Sequence, residues 1–498
     1  MSFLKISSRT IEYRGFLGVI AIFFIYFLVR LYHLGYHDLW YDEIYSVNYA
    51  QHPWNNWNAP LYWIFMHFWI NLFGISEFSL RCPSLIFNFL TVILVFLLGK
   101  NIFNKKIGIL ASFLIGLSPF HIWYAQEARD YSMVLFFGTL SSYLLFRAIK
   151  EETFKLWLFF ILVSIVGIYT DYFYIFLFIA QGLYIIFFKR FKLNFKEIIF
   201  FLIIILCFFP YLSKFLSKFY FVWRGFWIPK PTWKSLIITP ENFSLGYNGS
   251  YILYIISNIL SVIFFISAVW AVHKKKLKES FIFCIFLFVL PITLCFIFSR
   301  VFFSVYLDRG LIIFSPYYYL ILSLGIANIN RILRVGLFTI LVLILSISVY
   351  RYFNDLMFEP IAHHTGTYIK KPIKSVVRFL SENVKRKEDI VAFTNVSSMP
   401  GIDFYSHKKI SPFYYIFNPK FPDTSSKRPI QESRYCISLH KMNSLEFRRL
   451  WVISSDWARS GKFDKNSQSV KEWLDKNLKL DFSKEFDGLW VFRYVPSK

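Results

Sequence analysis

The sequence predicts a polytopic α-helical membrane protein that ends in a small α/β domain. Three observations carry that prediction. Hydrophobic residues make up 56% of the 498-residue chain and aromatics alone 22%, with a mean hydropathy of +0.48; soluble domains run to roughly 45–50% apolar. The apolar residues gather in runs, and about 20 of them in a helix cross the hydrocarbon layer. From Arg351 onward the composition turns polar, with Lys, Asp and Glu interspersed.

The runs that read as spans are 15–34, 80–98, 107–123, 132–149, 156–170, 173–188, 197–212, 251–272, 281–298, 311–327 and 335–350. Together they predict about eleven transmembrane helices. Residues 15–32 read as an uncleaved signal anchor, since no small-x-small cleavage site follows them. The run 60–74 is apolar but short, which favours an interfacial or re-entrant helix. Charge parity agrees. If 60–74 does not cross, Lys5, Arg9 and Arg14 share a side with the basic loops around Lys105, Lys150, Lys189, Lys275 and Arg331. The excess of Lys and Arg on cytoplasmic loops then puts the N-terminus in the cytoplasm and everything after Arg351 outside. The expected division is a membrane module at 1–350 and an extracytoplasmic α/β domain at 351–498. In the latter, 372–385 and 470–478 read as helices, and 389–394, 450–454 and 488–494 as strands.

Composition also excludes function classes. The net charge of +25 would suggest nucleic acid in a soluble protein. Here the basic residues sit in short loops between spans, where they set orientation, so no nucleic-acid partner is expected. The five cysteines, Cys82, Cys207, Cys284, Cys295 and Cys436, form no CxxC pair, and four lie in or beside apolar runs. They read as packing residues, not as a disulfide framework or a zinc site. His363-His364 is a weak metal signal without a carboxylate at fitting spacing. No phosphate-loop, dinucleotide or protease motif stands in a fitting context.

The charged residues of the outer-side loops are the candidates for chemistry. The loop 35–79 holds Asp38, Asp42, Glu43 and Glu77 and no Lys or Arg. Carboxylates where a greasy helix meets water are costly unless something uses them. Asp42 reads as a general base and Glu43 as its partner, orienting an acceptor or fixing the loop. The structural alternative is that Asp42 starts a helix over 43–50 as its N-cap. In Gln126-Glu127-Ala128-Arg129-Asp130-Tyr131, Arg129 could clamp a phosphate with its guanidinium fork, and Glu127 and Asp130 could meet Asp42 across a cavity. The alternative is an ion-paired cap joining two helices. Arg309 begins a span and could face a lipid phosphate or snorkel as an anchor. Asp171, between two spans, is a further polar residue for the same face. The loop 213–250 carries Lys214, Lys218, Arg224, Lys230 and Lys234 among aromatics. It reads as an interfacial helix over an anionic headgroup, or as a long loop translocated regardless of charge.

These pieces resemble a family. Leu39-Trp40-Tyr41-Asp42-Glu43-Ile44-Tyr45-Ser46-Val47 after the first span looks like the outer-loop Asp-Glu motif of GT-C fold glycosyltransferases. The stretches 59–103 and 117–135, with Pro60-Leu61-Tyr62, Leu72-Phe73-Gly74 and Gln126-Glu127-Ala128-Arg129 in that order, are similar to bacterial family-39-like membrane proteins. Those are relatives of protein O-mannosyltransferases and of the lipid A aminoarabinose transferase. Residues 375–393 and 486–496 look like that family's outer domain. The resemblance implies a GT-C-like catalytic module in the inner (cytoplasmic) membrane. It implies inverting transfer of a sugar from a polyprenyl-phosphate donor to an envelope glycan, lipid or protein. It assigns catalysis to Asp42 and Glu43 and substrate binding to Arg129, Asp130 and Arg309; Glu127, Tyr131 and Asp171 are added as candidate substrate-binding residues from their place on the same face. No cofactor is assigned; a divalent metal stays open. The chain departs from the pattern at Ala59-Pro60, where many members have two prolines, and at Thr170-Asp171-Tyr172, where many have Thr-His-Tyr. Asn58-Ala59 lacks the charged pair of the aminoarabinose transferases. The rival readings are a lipid-diphosphate-dependent polysaccharide ligase and a lipid-linked glycan flippase, and the latter predicts ionisable residues in mid-span.

Overall fold

The computed structural model describes residues 20–497 apart from 56–57, 189–194, 276, 358–362, 364, 366, 368–369, 386–388, 396–398, 408–409, 411–412, 421–435, 445 and 457–462. The chain forms two compact units. The first takes in residues up to Leu34, His52–Phe221 and Lys230–Thr365; the second is Gly35–Gln51, Val222–Pro229 and Gly366–Lys498. The second unit therefore holds more than the expected C-terminal segment: it includes the loop with Asp42 and Glu43.

The helices in chain order are α1 (Ile20–Leu31), α2 (Tyr41–Gln51), α3 (Leu61–Phe73), α4 (Glu77–Ile102), α5 (Lys105–Leu117), α6 (Pro119–Ala125), α7 (Tyr131–Glu151), α8 (Phe154–Thr170), α9 (Tyr174–Phe188), α10 (Phe195–Phe208), α11 (Leu212–Trp223), α12 (Trp233–Leu245), α13 (Tyr251–Lys275), α14 (Lys278–Val301), α15 (Asp308–Leu311), α16 (Ser315–Asn328) and α17 (Arg331–Phe353). Among the described residues, seven helices are long and apolar enough to cross a membrane, or eight if the bent pair α5–α6 is one span. Those eight and the short apolar α1, α8 and α9 coincide with the eleven predicted runs. The remaining short apolar helix is α3, the run read as interfacial.

Starts and breaks follow local chemistry. Ser76, Asn104 and Asn330 each accept a backbone N–H in the first turn of α4, α5 and α17, which satisfies donors a helix start leaves open. The run 107–123, expected as one span, is bent by 63° at Ser118. Pro119 explains this: it pushes the residue before it into extended backbone, and Ser118 then caps α6. The guanidinium of buried Arg30 donates to the carbonyls of Ile115 (3.2 Å) and Gly116 (2.9 Å) at the break, and to Asn88 Oδ1 (2.9 Å). A second expectation is corrected at 212. The apolar run ends there, but helix continues to Trp223, because Lys214 Nζ reaches the Trp54 carbonyl (2.7 Å) and Lys218 Nζ reaches Asn58 Oδ1 (3.0 Å). Long Lys stems cover apolar surface while their heads find polar partners.

The second unit is built on a six-stranded sheet: β1 (Asp389–Phe393), β2 (Phe413–Phe417), β3 (Cys436–Ser438), β4 (Arg449–Ser455), β5 (Leu478–Phe486) and β6 (Leu489–Pro496), ordered β3-β2-β1-β4-β6-β5. The first four are parallel neighbours, and the β5–β6 hairpin adds antiparallel to β4. Helices α18 (Ile373–Asn383), α19 (Met399–Ser406) and α20 (Lys465–Asn477) belong to this unit. Apolar clusters lie on both faces of the sheet, one around Val376, Leu380 and Trp451, the other around Val452, Val470 and Leu474. Burial on both faces is what parallel strands require. Strands β2, β3 and β5 were not anticipated, and α20 starts at Lys465 rather than 470. Of the metal signal His363-His364, His364 lies outside the described residues.

Candidate functional site

In the second unit, α2 begins at Tyr41, so Asp42 lies in its first turn and is not the N-cap. Trp40 precedes the helix, and its N–H is accepted by Glu43 Oε2 at 3.3 Å, the reciprocal half of a capping box. Glu43 is fully buried and lies 3.5 Å from Lys370 Nζ. A buried carboxylate needs such a partner. Asp38 Oδ2 accepts the backbone N–H of Lys374 at 2.7 Å, in the first turn of α18, whose own N-cap, Pro372, makes no side-chain bond. Tyr405 Oη accepts the Leu39 N–H at 2.7 Å. The loop is thus pinned to the C-terminal domain at both sides of Trp40. Asp42 is half-buried, and its backbone carbonyl accepts from Ser46 Oγ. Tyr41, Tyr45 and Tyr49 stack along α2 at 4.8 and 6.0 Å.

In the first unit, the segment after α6 is tied down by Gln126. Its amide donates to the carbonyls of Arg30 (2.8 Å) and Tyr32 (2.6 Å), and its oxygen accepts from Tyr352 Oη (2.8 Å). Buried Glu127 accepts Trp123 Nε1–H at 3.1 Å. Arg129 places its guanidinium 5.3 Å from the Trp63 ring centre and 5.6 Å from that of Tyr131. Arg309, only 8% exposed, lies 5.8 Å from the same Tyr131 ring. Two guanidiniums therefore share one aromatic ring, each at cation–π range. Asp130 precedes α7 but makes no capping bond to it, so the simple cap reading does not account for its side chain.

Asp171 follows α8 and accepts the Phe173 N–H at 2.7 Å. Burial and the negative charge of Asp130 push its carboxyl up to about 8, against the opposing pull of that N–H, Arg129 and Lys218. Asp130, Asp171, Arg129 and Lys218 thus act on one another in one neighbourhood. The structure brings together Arg129, Tyr131 and Arg309 on one side, and Arg129, Asp130 and Asp171 on the other. It adds Trp63, which was not singled out, and Lys218, read from the sequence only as part of a basic loop over an anionic headgroup. The usable signal was Lys214 and Lys218 at i, i+4 on a loop that breaks the charge rule.

A second polar cluster was also missed. Asp308 accepts from Thr239 Oγ1 (2.6 Å) and Asn242 Nδ2 (2.8 Å). On the same helix, Glu241 is paired with His363 Nε2 (2.7 Å) and accepts from Asn258 (2.5 Å). Among the described residues, no group of three His, Cys, Asp or Glu is arranged to hold a metal ion.

With this geometry in view, likeness to known proteins is informative. Residues 52–214 match the family described as dolichyl-phosphate-mannose-protein mannosyltransferase. The fold matches ArnT from Cupriavidus metallidurans in the apo state, with TM-score 0.62 at 9% identity over 96% of this chain and 98% of that one. It matches the same protein bound to undecaprenyl phosphate at 0.61 and 10% identity over 95% and 97%. The apo oligosaccharyltransferase of Archaeoglobus fulgidus follows at 0.52 and 11% identity, over 96% of this chain and 74% of that one. No curated protein sequence matches the chain. The chain therefore has the GT-C-like fold of these membrane proteins, and its residues 52–214 are similar to the mannosyltransferase family.

Proposed function

We propose that the chain is an inverting glycosyltransferase. It moves a hexosyl or pentosyl group from a polyprenyl-phosphate donor to an envelope glycolipid, polysaccharide or protein. It works at the outer face of the cytoplasmic membrane, with the N-terminus inside and the C-terminal domain outside. The observation that carries the reading is the pair of guanidiniums, Arg129 and Arg309, at the ring of Tyr131. Guanidinium forks match phosphate geometry, and these two lie against one ring. The likeness to a fold that holds undecaprenyl phosphate supports a lipid phosphate as that anion.

The chemistry is a single displacement. Asp42 takes the proton of the acceptor hydroxyl. The acceptor oxygen bonds to the anomeric carbon while the bond from that carbon to the phosphate oxygen breaks. The electron pair leaves with the polyprenyl phosphate, and Arg129 and Arg309 meet its added negative charge, the stage at which fixed charges act most strongly. Attack opposite the leaving group inverts the anomeric centre. Glu43, closing the capping box and paired with Lys370, holds the turn that carries Asp42.

The test is a mass-spectrometric comparison of envelope glycans and polyprenyl-phosphate sugars between wild type and an Asp42→Ala strain. Loss of one sugar from an envelope molecule, with its polyprenyl-phosphate form accumulating, is expected. Accumulation of a diphosphate-linked glycan instead would favour the ligase. Unchanged pools with the protein stably present would remove Asp42 from the mechanism.

A further inference from the structure

We infer that Asp308 is a positioning residue for Arg309: its carboxylate fastens the short turn that aims the guanidinium. The inference rests on the reading of Arg309 as a phosphate ligand. The two residues are consecutive, yet they work on different neighbours. Asp308 accepts from Thr239 and Asn242 of α12 at 2.6 and 2.8 Å, while Arg309 lies against Tyr131, the first residue of α7.

The turn needs such a fastening. Helix α15 is the first turn of the span that runs on to Asn328, and a helix's first turn leaves backbone donors open and frays unless something holds it. The turn is backed by Leu307, whose carbonyl accepts from Gly310 and Leu311, and by Phe173, whose ring stands 2.3 Å from where a Cβ on Gly310 would be. The donors that hold Asp308 are themselves fixed. Thr239 and Asn242 are fully buried. Thr239 is bonded to Tyr306 Oη (2.8 Å), and Asn242 uses its second hydrogen on the His363 carbonyl (3.1 Å). One residue along, Glu241 is paired with His363, whose ring stacks on Tyr254 at 4.2 Å. Helix α12 is thus a rigid anchor, and Asp308 is the side chain through which it reaches the turn. A free Arg side chain loses rotamer entropy when it is ordered. Fixing its backbone beforehand reduces what the ligand must supply.

A double-mutant cycle separates this role from one of general support. The full-length protein in lipid nanodiscs is titrated with undecaprenyl phosphate, comparing wild type, Arg309→Ala, Asp308→Asn and the double variant. Arg309→Ala is expected to weaken binding roughly ten- to a hundredfold, as loss of a charged hydrogen bond does. Asp308→Asn replaces one acceptor oxygen with a donor, so it loses at least one of its two bonds. It is expected to weaken binding roughly fivefold, about one hydrogen bond's net contribution, and to add nothing in the Arg309→Ala background. Additive losses would show that Asp308 acts by another route and overturn the inference, as would unchanged affinity in Asp308→Asn beside a weak Arg309→Ala. Unchanged affinity in Arg309→Ala would remove the phosphate reading itself, a separate failure. If Asp308→Asn does not fold, Thr239→Val takes its place. That variant deletes one donor and is expected to give a smaller loss that also vanishes without Arg309.

Discussion

The setting of Asp171 gives it a distinct titration. A carboxyl surrounded by protein and faced by Asp130 resists ionising, and its proton stays until about 8. Below that pH the site gains positive character from Arg129 and Lys218 without a second opposing charge. Above it, ionised Asp171 repels a phosphate. Undecaprenyl phosphate affinity is therefore expected to fall roughly three- to tenfold between pH 7 and pH 9, the effect of one added charge at short range in a partly screened site. The phosphate's second ionisation is largely complete by pH 7, and the Asp171→Asn variant assigns the loss to this carboxyl. Titrations from pH 6.5 to 9.5 check it, and Asp171→Asn should flatten the curve. Stability follows the same sign. The folded chain keeps this proton to about 8 while the unfolded chain releases it near 3.8. Stability from this group is full below 3.8, declines as pH rises through the window, and is gone above about 8. An alkaline decline that persists in Asp171→Asn would assign it to another group.

At the scale of elements, close packing sets what the helices tolerate. A Cβ on Gly325 of α16 would stand 1.9 Å from the Phe264 carbonyl oxygen of α13, so these two backbones touch as small-residue contacts in membranes do. Gly336 of α17 has nothing within 4 Å of its Cβ position. Gly325→Ala is expected to cost about 1–3 kcal/mol through overpacking. Gly336→Ala is expected to be neutral or to gain up to about 1 kcal/mol from helix propensity. Thermal unfolding in detergent separates them, and equal midpoints would deny the contact. The same contrast explains what was legible in the sequence. Uninterrupted apolar runs declared α4, α7, α13, α14 and α17 on composition alone. Helix α11 read as a separate interfacial helix or a plain loop, not as a continuation of α10, because Lys214 and Lys218 interrupt the run and the carbonyl and amide that receive them lie some 160 residues upstream. Strand β5 had a readable alternation in Leu478, Leu480 and Phe482, with charged residues between. The site divides likewise. Charged Asp42, Glu43, Arg129 and Arg309 announce themselves at membrane edges. Neutral Thr239 and Asn242 gain meaning only when the fold sets them against Asp308.

At the scale of the whole molecule, orientation turns on α3. Its 13 residues reach about 20 Å at 1.5 Å per residue, against about 30 Å of hydrocarbon. It is apolar, and Phe68, Leu72 and Phe73 are exposed, which suits a helix lying in the interface. Crossing or not crossing changes the side on which every earlier residue lies. Between His52 and Lys105 the chain holds α3 and α4. If only α4 crosses, those two positions lie on opposite sides; if α3 also crosses, they lie on the same side. Both are exposed and described, so single cysteines can be placed there in a Cys207→Ser background, which removes the exposed native thiol. A membrane-impermeant maleimide applied to intact cells should label His52→Cys. Lys105→Cys should react only after permeabilisation. Labelling of both from outside would make α3 a span and move everything after α4 to the opposite side, and labelling of Lys105→Cys alone would invert the molecule. The second result would also put Asp42, ten residues before His52, on the cytoplasmic side, the wrong one for an envelope acceptor, so the experiment bears on the chemistry as directly as on the fold.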